Sequence, residues 1–334
     1  FSQVFWLRRI TNWCRTIITS SVLLALAYFL AVGIQGYWSA LLTLAAVGAA
    51  SGLVYGICMT LIGDSSHPSR GFGGAQLAQA AVAIPLVAII PALVIPQFGF
   101  SGLMLTLAGT GVLCLVVSPL IPPEGLRQID PALEEQLGLQ ENEHNPGKQR
   151  ALNLGSLSAV AACVFYLNGH TGLWVFVERI GHNAGLEKDF IGYMLAAAGV
   201  TGLISALIPM ALGDRFGRVA VPAIGTLLFV LGGVLLLDSG SYSYAAGCVV
   251  VSVVYAATAP YFFAQVASAD KEGKIITWLP AVNMTAGGIG PLLSGWIYDG
   301  GYRSVIVFCA GSVVLSLGFQ TISSLSAKRA TSTN

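Results

Sequence analysis

Tyr166, Asn168, His170, Thr171 and Trp174 bring five hydrogen-bonding side chains close together in the largely apolar stretch 153–177, with Gly169 and Gly172 between them. Phenol, amide, imidazole, hydroxyl and indole groups together can hold a polar solute. An imidazole also titrates near physiological pH, so His170 is a candidate proton carrier as well as a candidate ligand. Polar groups deep in a bilayer face a cavity or a partner rather than lipid. The two glycines would let a helix unwind locally and turn backbone groups toward a ligand. The alternative for His170 is a hydrogen-bonded packing role. Glu178 and Arg179 follow within two turns, and Glu178 is either a second proton-coupling candidate or half of an interfacial ion pair. Gln76, Gln79, Gln265 and Asn283 are uncharged hydrogen-bonding groups in other apolar stretches, of which Gln79 and Asn283 join the candidate cavity set. Each is equally explained as a link between helices.

The elements that must carry these residues follow from composition. The chain has 334 residues, 55% hydrophobic and 9% charged, with a mean hydropathy of +0.77 and a formal net charge of +1. Soluble domains carry about 25% charged residues, so a water-soluble enzyme, a disordered chain and a nucleic-acid binder are all excluded. A bilayer core about 30 Å thick needs about 20 apolar residues per helix. Stretches of that kind occupy 16–35, 37–62, 75–97, 99–121, 153–177, 190–212, 219–237, 243–265, 275–297 and 304–325, and none holds Asp, Glu, Lys or Arg. They are too long and too uniformly apolar for barrel strands. The expectation is an all-α polytopic membrane protein of about ten transmembrane helices. His170 would lie about 25 Å along its helix from Asn153, toward the outer leaflet.

Counted in register, thirteen Lys and Arg residues fall on one side of the membrane and three (Arg179, Lys188, Arg303) on the other. Basic residues concentrate on the cytoplasmic side, so both termini are expected there, with the plasma (inner) membrane as the location. The polar stretch 122–150, with six acidic residues and four prolines, reads as a solvated cytoplasmic linker. Its charges read as solubility rather than a regulatory surface. Six cysteines without CxxC spacing support neither a metal site nor a disulfide framework. No cofactor is expected. Gly48, Gly52 and Gly56 share one helix face and suit close packing, with a dimer face as the rival, and a monomer is expected. The polar stretch Gly63–Gly74 reads as a loop with a counterpart at Ala267–Lys274, a weak internal repeat.

A second cluster forms the turn Leu212-Gly213-Asp214-Arg215-Phe216-Gly217-Arg218. Gly213 and Gly217 permit backbone conformations other residues resist. Asp214 can face a neighbouring helix N-terminus, where the dipole favours an anion, and Arg215 and Arg218 hold the cytoplasmic side. On Asp214, Arg215, Gly217 and Arg218 the chain resembles the major facilitator superfamily, whose signature turn reads G-x-x-x-D-R-x-G-R, with Met210 here at the leading glycine. The stretch Gly287–Asp299 is similar to the family's eleventh helix and its exit.

That resemblance implies two helical bundles that rock about a central cavity. The six later spans become helices seven to twelve (151–326), followed by a cytoplasmic tail at 327–334. The four earlier ones become helices three to six within an incomplete bundle over 1–121. Phe1–Leu7 would then end helix two, with Arg8 and Arg9 the remnant of the first signature. Tyr55, Tyr255 and Tyr261 fall on spans that line the cavity in this family. The expected activity is secondary or facilitated transport of a small-molecule solute, with a proton as candidate coupling ion. A non-transporting membrane sensor of the same fold is the alternative. A membrane-embedded enzyme is disfavoured by the lack of intramembrane acids, and a nucleotide-driven pump by the lack of a phosphate-binding loop.

Overall fold

The computed structural model describes residues 12–34, 36–122, 154–238, 240–270 and 275–332. Phe1–Leu7, Arg8, Arg9, most of the 122–150 linker and residues 271–274 of the repeat lie outside them. The described residues form α1 (Trp13–Ala31), α2 (Tyr37–Gly63), α3 (Pro68–Ile89), α4 (Ile95–Val117), α5 (Leu154–Asn183), α6 (Lys188–Ser205) and the short α7 (Leu207–Leu212). Next come α8 (Gly217–Leu237), α9 (Ser241–Ala269), α10 (Leu279–Ile297) and α11 (Gly301–Ser332). Among the described residues, eight helical stretches are long and apolar enough to cross a membrane. Two of these, 53 and 51 residues long, each contain two helices, α3–α4 and α10–α11. The protein is therefore an all-α polytopic helical membrane protein.

Several boundaries differ from the sequence reading, for local reasons. The third helix starts at Pro68, inside the stretch read as a loop. Proline suits a first helical turn because its missing N–H would be unsatisfied there anyway. The α3–α4 junction is a π-helical turn, Ile90–Val94, followed by a kink at Gly99 with φ +60°. Pro91 and Pro96 remove two backbone donors there. Residues 190–212 are broken at Ala206, three residues ahead of Pro209.

The residues cluster into two compact units. One comprises 1–65 and 81–145, and the other 66–80 with 146–334. In the first, α1 packs against α2 and α4. Gly111 there meets the Ala25 backbone so closely that a Cβ would lie 2.9 Å from the Ala25 nitrogen. Gly48 faces open space, so it takes no part in the close packing expected of the Gly48-Gly52-Gly56 stripe.

In the second unit α5 is central, packed on α11, α10 and α9, while α8 packs on α9 and α11. Ala159, Ala162, Cys163, Leu167, Leu173 and Val177 of α5 are fully buried. α5 is one continuous helix, which corrects the expectation of local unwinding at Gly169 and Gly172. These glycines are notches for close approach. A Cβ on Gly169 would lie 2.6 Å from the Cys309 carbonyl oxygen, and one on Gly172 would lie 2.5 Å from Ser294 Oγ.

Candidate functional site

Two groups of residues in the second unit stand out. The first is the turn between α7 and α8. Gly213 ends α7 at φ +52° and Gly217 opens α8 at φ +73°, both in the left-handed region where a side chain is strained. The chain closes on itself through Gly213 N–H to the Pro209 carbonyl and Gly217 N–H to the Asp214 carbonyl, each 2.9 Å. Asp214 accepts from Arg218 Nη2 at 2.9 Å and from the Ser69 hydroxyl, in the first turn of α3. Burial alone would raise the pKa of its carboxyl. The bonds from Arg218 and Ser69, and the positive field of Arg218 and His67, outweigh that and hold it below the ordinary carboxylate value.

Other elements brace the same turn. Tyr261, buried in α9, donates to the Gly213 carbonyl at 2.9 Å. Gln320 of α11 donates to the Arg218 carbonyl at 2.9 Å. The Arg70 side chain lies against Gly213, and Gly73 lies against Pro209 and Met210. Arg215 stays exposed.

The second group surrounds a cavity of about 420 Å³ walled by His170, Thr171, Trp174 and Val175 of α5, Val251, Ser252 and Tyr255 of α9, and Gly287 and Pro291 of α10. His170 is 3% exposed and its Nε2 is buried with no hydrogen-bond partner. Three rings enclose its imidazole edge-on, with centroid distances of 4.6 Å to Phe229, 5.1 Å to Tyr255 and 5.2 Å to Tyr166. Tyr166 sits behind this wall, its hydroxyl 2.6 Å from Thr258 Oγ1. Trp174 is 40% exposed.

Of the residues expected to form the cavity, His170, Trp174 and Tyr255 line it and Tyr166 supports it. Asn168 is buried on α5 with its Oδ1 unpartnered, but it is not part of the wall. Tyr261 belongs to the turn. Gln79 is exposed on α3, and Asn283 is half-buried on α10. Tyr55, half-buried on α2, belongs to the first unit. Glu178 stands outside the wall, exposed on α5, 3.7 Å from His182, while Arg179 lies over the Phe176 ring. Gln265 links α9 to Ser323 of α11.

Sequence reasoning missed Ser252 and Gly287 in the cavity wall, Phe229 against the His170 ring, and Ser69, Arg70 and Gln320 at the turn. Gly287 opens the stretch that resembles the family's eleventh helix, but nothing in that pattern marks it as a wall residue.

With this geometry in place, comparison with known proteins assigns the class. The profile described as Major Facilitator Superfamily matches residues 154–324, just over half of the chain. The chain belongs to the major facilitator superfamily, a family of membrane transporters. Solved structures show the same fold. The human organic anion transporter MFSD10 has a TM-score of 0.72 at 17% identity, covering 92% of this chain and 77% of its own. The E. coli fucose:proton symporter FucP, as a point mutant, has a TM-score of 0.73 at 15% identity, covering 96% and 86%. A double-tryptophan mutant of XylE has a TM-score of 0.68 at 13% identity, covering 97% and 85%. No curated protein sequence matches.

Proposed function

We propose that the protein moves a small solute across the membrane by alternating access, with the His170 cavity as the solute's station and the Gly213–Arg218 turn as a brace on the cytoplasmic side. The observation that carries this reading is the buried, partnerless Nε2 of His170 in the wall of a cavity large enough for a small molecule. Leaving such a group unbonded costs free energy, and a passing solute can satisfy it. Pockets of about 300–1,000 Å³ with a few convergent polar groups are where small ligands bind.

The distribution of basic residues supports both termini lying in the cytoplasm and a plasma-membrane location. The same reading takes 151–326 as one six-helix bundle, 122–150 as a cytoplasmic linker and the protein as a monomer without cofactors. A coupled proton would travel on His170 rather than Glu178, since His170 lines the cavity and Glu178 does not.

Alternating access can be tested without knowing the solute. In a variant whose six cysteines are replaced, Gly287→Cys puts a thiol on the cavity wall, where its Cβ meets only Thr171 Cγ2, at 3.9 Å. A membrane-impermeant maleimide should label it in both right-side-out and inside-out vesicles. Labelling from one side alone would refute alternating access and favour the sensor.

A further inference from the structure

The hydroxyl protons of Thr171 and Ser252 in the cavity wall are committed before a solute arrives. Thr171 Oγ1 donates to the Leu167 carbonyl at 2.8 Å, and Ser252 Oγ donates to the Ala198 carbonyl at 2.6 Å. The wall groups with no partner at all are His170 Nε2 and the indole N–H of the exposed Trp174, while the Thr171 and Ser252 oxygens keep lone pairs that can accept from a solute. The rest of the wall is aliphatic or aromatic, and no Asp, Glu, Lys or Arg lines it among the described residues.

We infer that the cavity takes an uncharged, mostly apolar solute with one or two hydrogen-bonding groups, one of them bonded to His170 Nε2, and that Gly287 sets how bulky the solute can be. The inference rests on the reading of the cavity as the transport site and narrows it to a substrate class.

Three solute classes are disfavoured by the same wall. A sugar would bring several hydroxyls against a mostly apolar wall that offers few partners, and each hydroxyl buried without a hydrogen bond weakens binding by about tenfold. An anion would find no Lys or Arg in the wall. A cation would gain from the aromatic faces but would be buried without a carboxylate. The fucose and organic anion named for the structural neighbours therefore do not transfer to this chain.

Gly287 provides a clean handle. A Cβ added there would have a methyl at 3.9 Å as its nearest neighbour, so a larger side chain enters the cavity without displacing helices. His170→Phe keeps a ring in the aromatic enclosure and removes the nitrogen.

The test measures binding to the full chain in lipid nanodiscs for wild type, Gly287→Leu and His170→Phe, each first shown to be folded by its thermal unfolding midpoint. The uncharged probes are 1-naphthol and N-phenyl-1-naphthylamine. The others are 8-anilino-1-naphthalenesulfonate (anion), tetraphenylphosphonium (cation) and L-fucose (polyol). The expected result is saturable binding of the uncharged probes to wild type, weakened about tenfold or more in both variants. The other three should show no binding that depends on either residue.

If the sulfonate, the phosphonium or fucose binds in a way that both variants abolish, the substrate class is overturned while the site stands. Loss in Gly287→Leu alone overturns the bond to His170. If no probe responds to either variant, the cavity is not the site, and the inference falls with the reading beneath it.

Discussion

Gly213 and Gly217 both sit at positive φ in the same turn, yet they should respond differently to alanine. At Gly217 a Cβ meets nothing within 4 Å, so Gly217→Ala carries backbone strain alone, about 1–2 kcal/mol. At Gly213 the backbone is at φ +52° and ψ −139°, and an added Cβ would lie 2.7 Å from Arg70 Nε and 3.2 Å from its Cγ. Arg70 must leave its rotamer, adding about 0.5–1.5 kcal/mol. The Gly213 carbonyl also accepts from Tyr261, and tilting that peptide weakens the bond, about 1 kcal/mol. Gly213→Ala should therefore cost about 2.5–4.5 kcal/mol. At about 2–4 °C per kcal/mol for a unit of this size, its unfolding midpoint falls well below that of Gly217→Ala. The assay is thermal unfolding of the purified protein in one detergent, with Arg70→Ala as a third background. Against Arg70→Ala, the Gly213→Ala penalty should shrink by the rotamer contribution, a double-mutant coupling of about 0.5–1.5 kcal/mol. Equal midpoints for the two glycine variants, or a Gly213→Ala penalty unchanged by Arg70→Ala, would refute the reasoning.

Two further outcomes follow from the same geometry. Asp214 has a folded-state pKa below its unfolded value, so its stabilisation is present above the ordinary carboxylate range, near about 4, and is lost as the pH falls through the lowered value. Asp214→Asn should therefore lower the midpoint at pH 7 and flatten its decline on acidification, and a parallel pH profile would contradict the assignment. On the helices, Gly169→Ala forces a Cβ to 2.6 Å from a backbone carbonyl and should destabilise by about 1–3 kcal/mol. Gly199→Ala, in open space within α6, should instead stabilise by up to about 1 kcal/mol. Thermal midpoints that shift in the same direction would sink the packing argument.

What could be read from the sequence divides along physical lines. The helices were legible because lipid demands long uncharged runs, and α5, α8 and α9 lie within a few residues of the stretches expected. The start of α3 was not. Gly63–Gly74 is polar and glycine-rich, and its helical part is packed through Gly73 against Pro209 and Met210, far away in sequence. The turn at Gly213–Arg218 was legible by resemblance, but its partners were not, since Ser69 lies 145 residues from Asp214. Glycines misled at 169 and 172 because permissive backbone and close packing leave the same mark in a sequence. The tyrosines show the limit most clearly. Tyr255 and Tyr261 are six residues apart on one helix, about 9 Å along it and about 240° around it, so one reaches the cavity and the other the turn. Composition and hydropathy say nothing about which.

That division along α9 also bears on whether the proposed cavity and the turn are coupled. The Tyr255 ring lies against His170, Thr258 is bonded to Tyr166, and Tyr261 holds the Gly213 carbonyl. On the proposed reading, a solute that displaced the Tyr255 ring and a turn that released Tyr261 would act on the same short stretch of helix. Shared contact alone does not make a coupling; that requires an element with two arrangements whose balance both sites shift. Pro260 marks where a second arrangement of α9 costs least. It lies inside the helix and has no N–H, so the Ala256 carbonyl lacks its usual partner four residues on. Bending there would move Tyr261 and the turn relative to Tyr255 and the cavity while breaking no further backbone hydrogen bond.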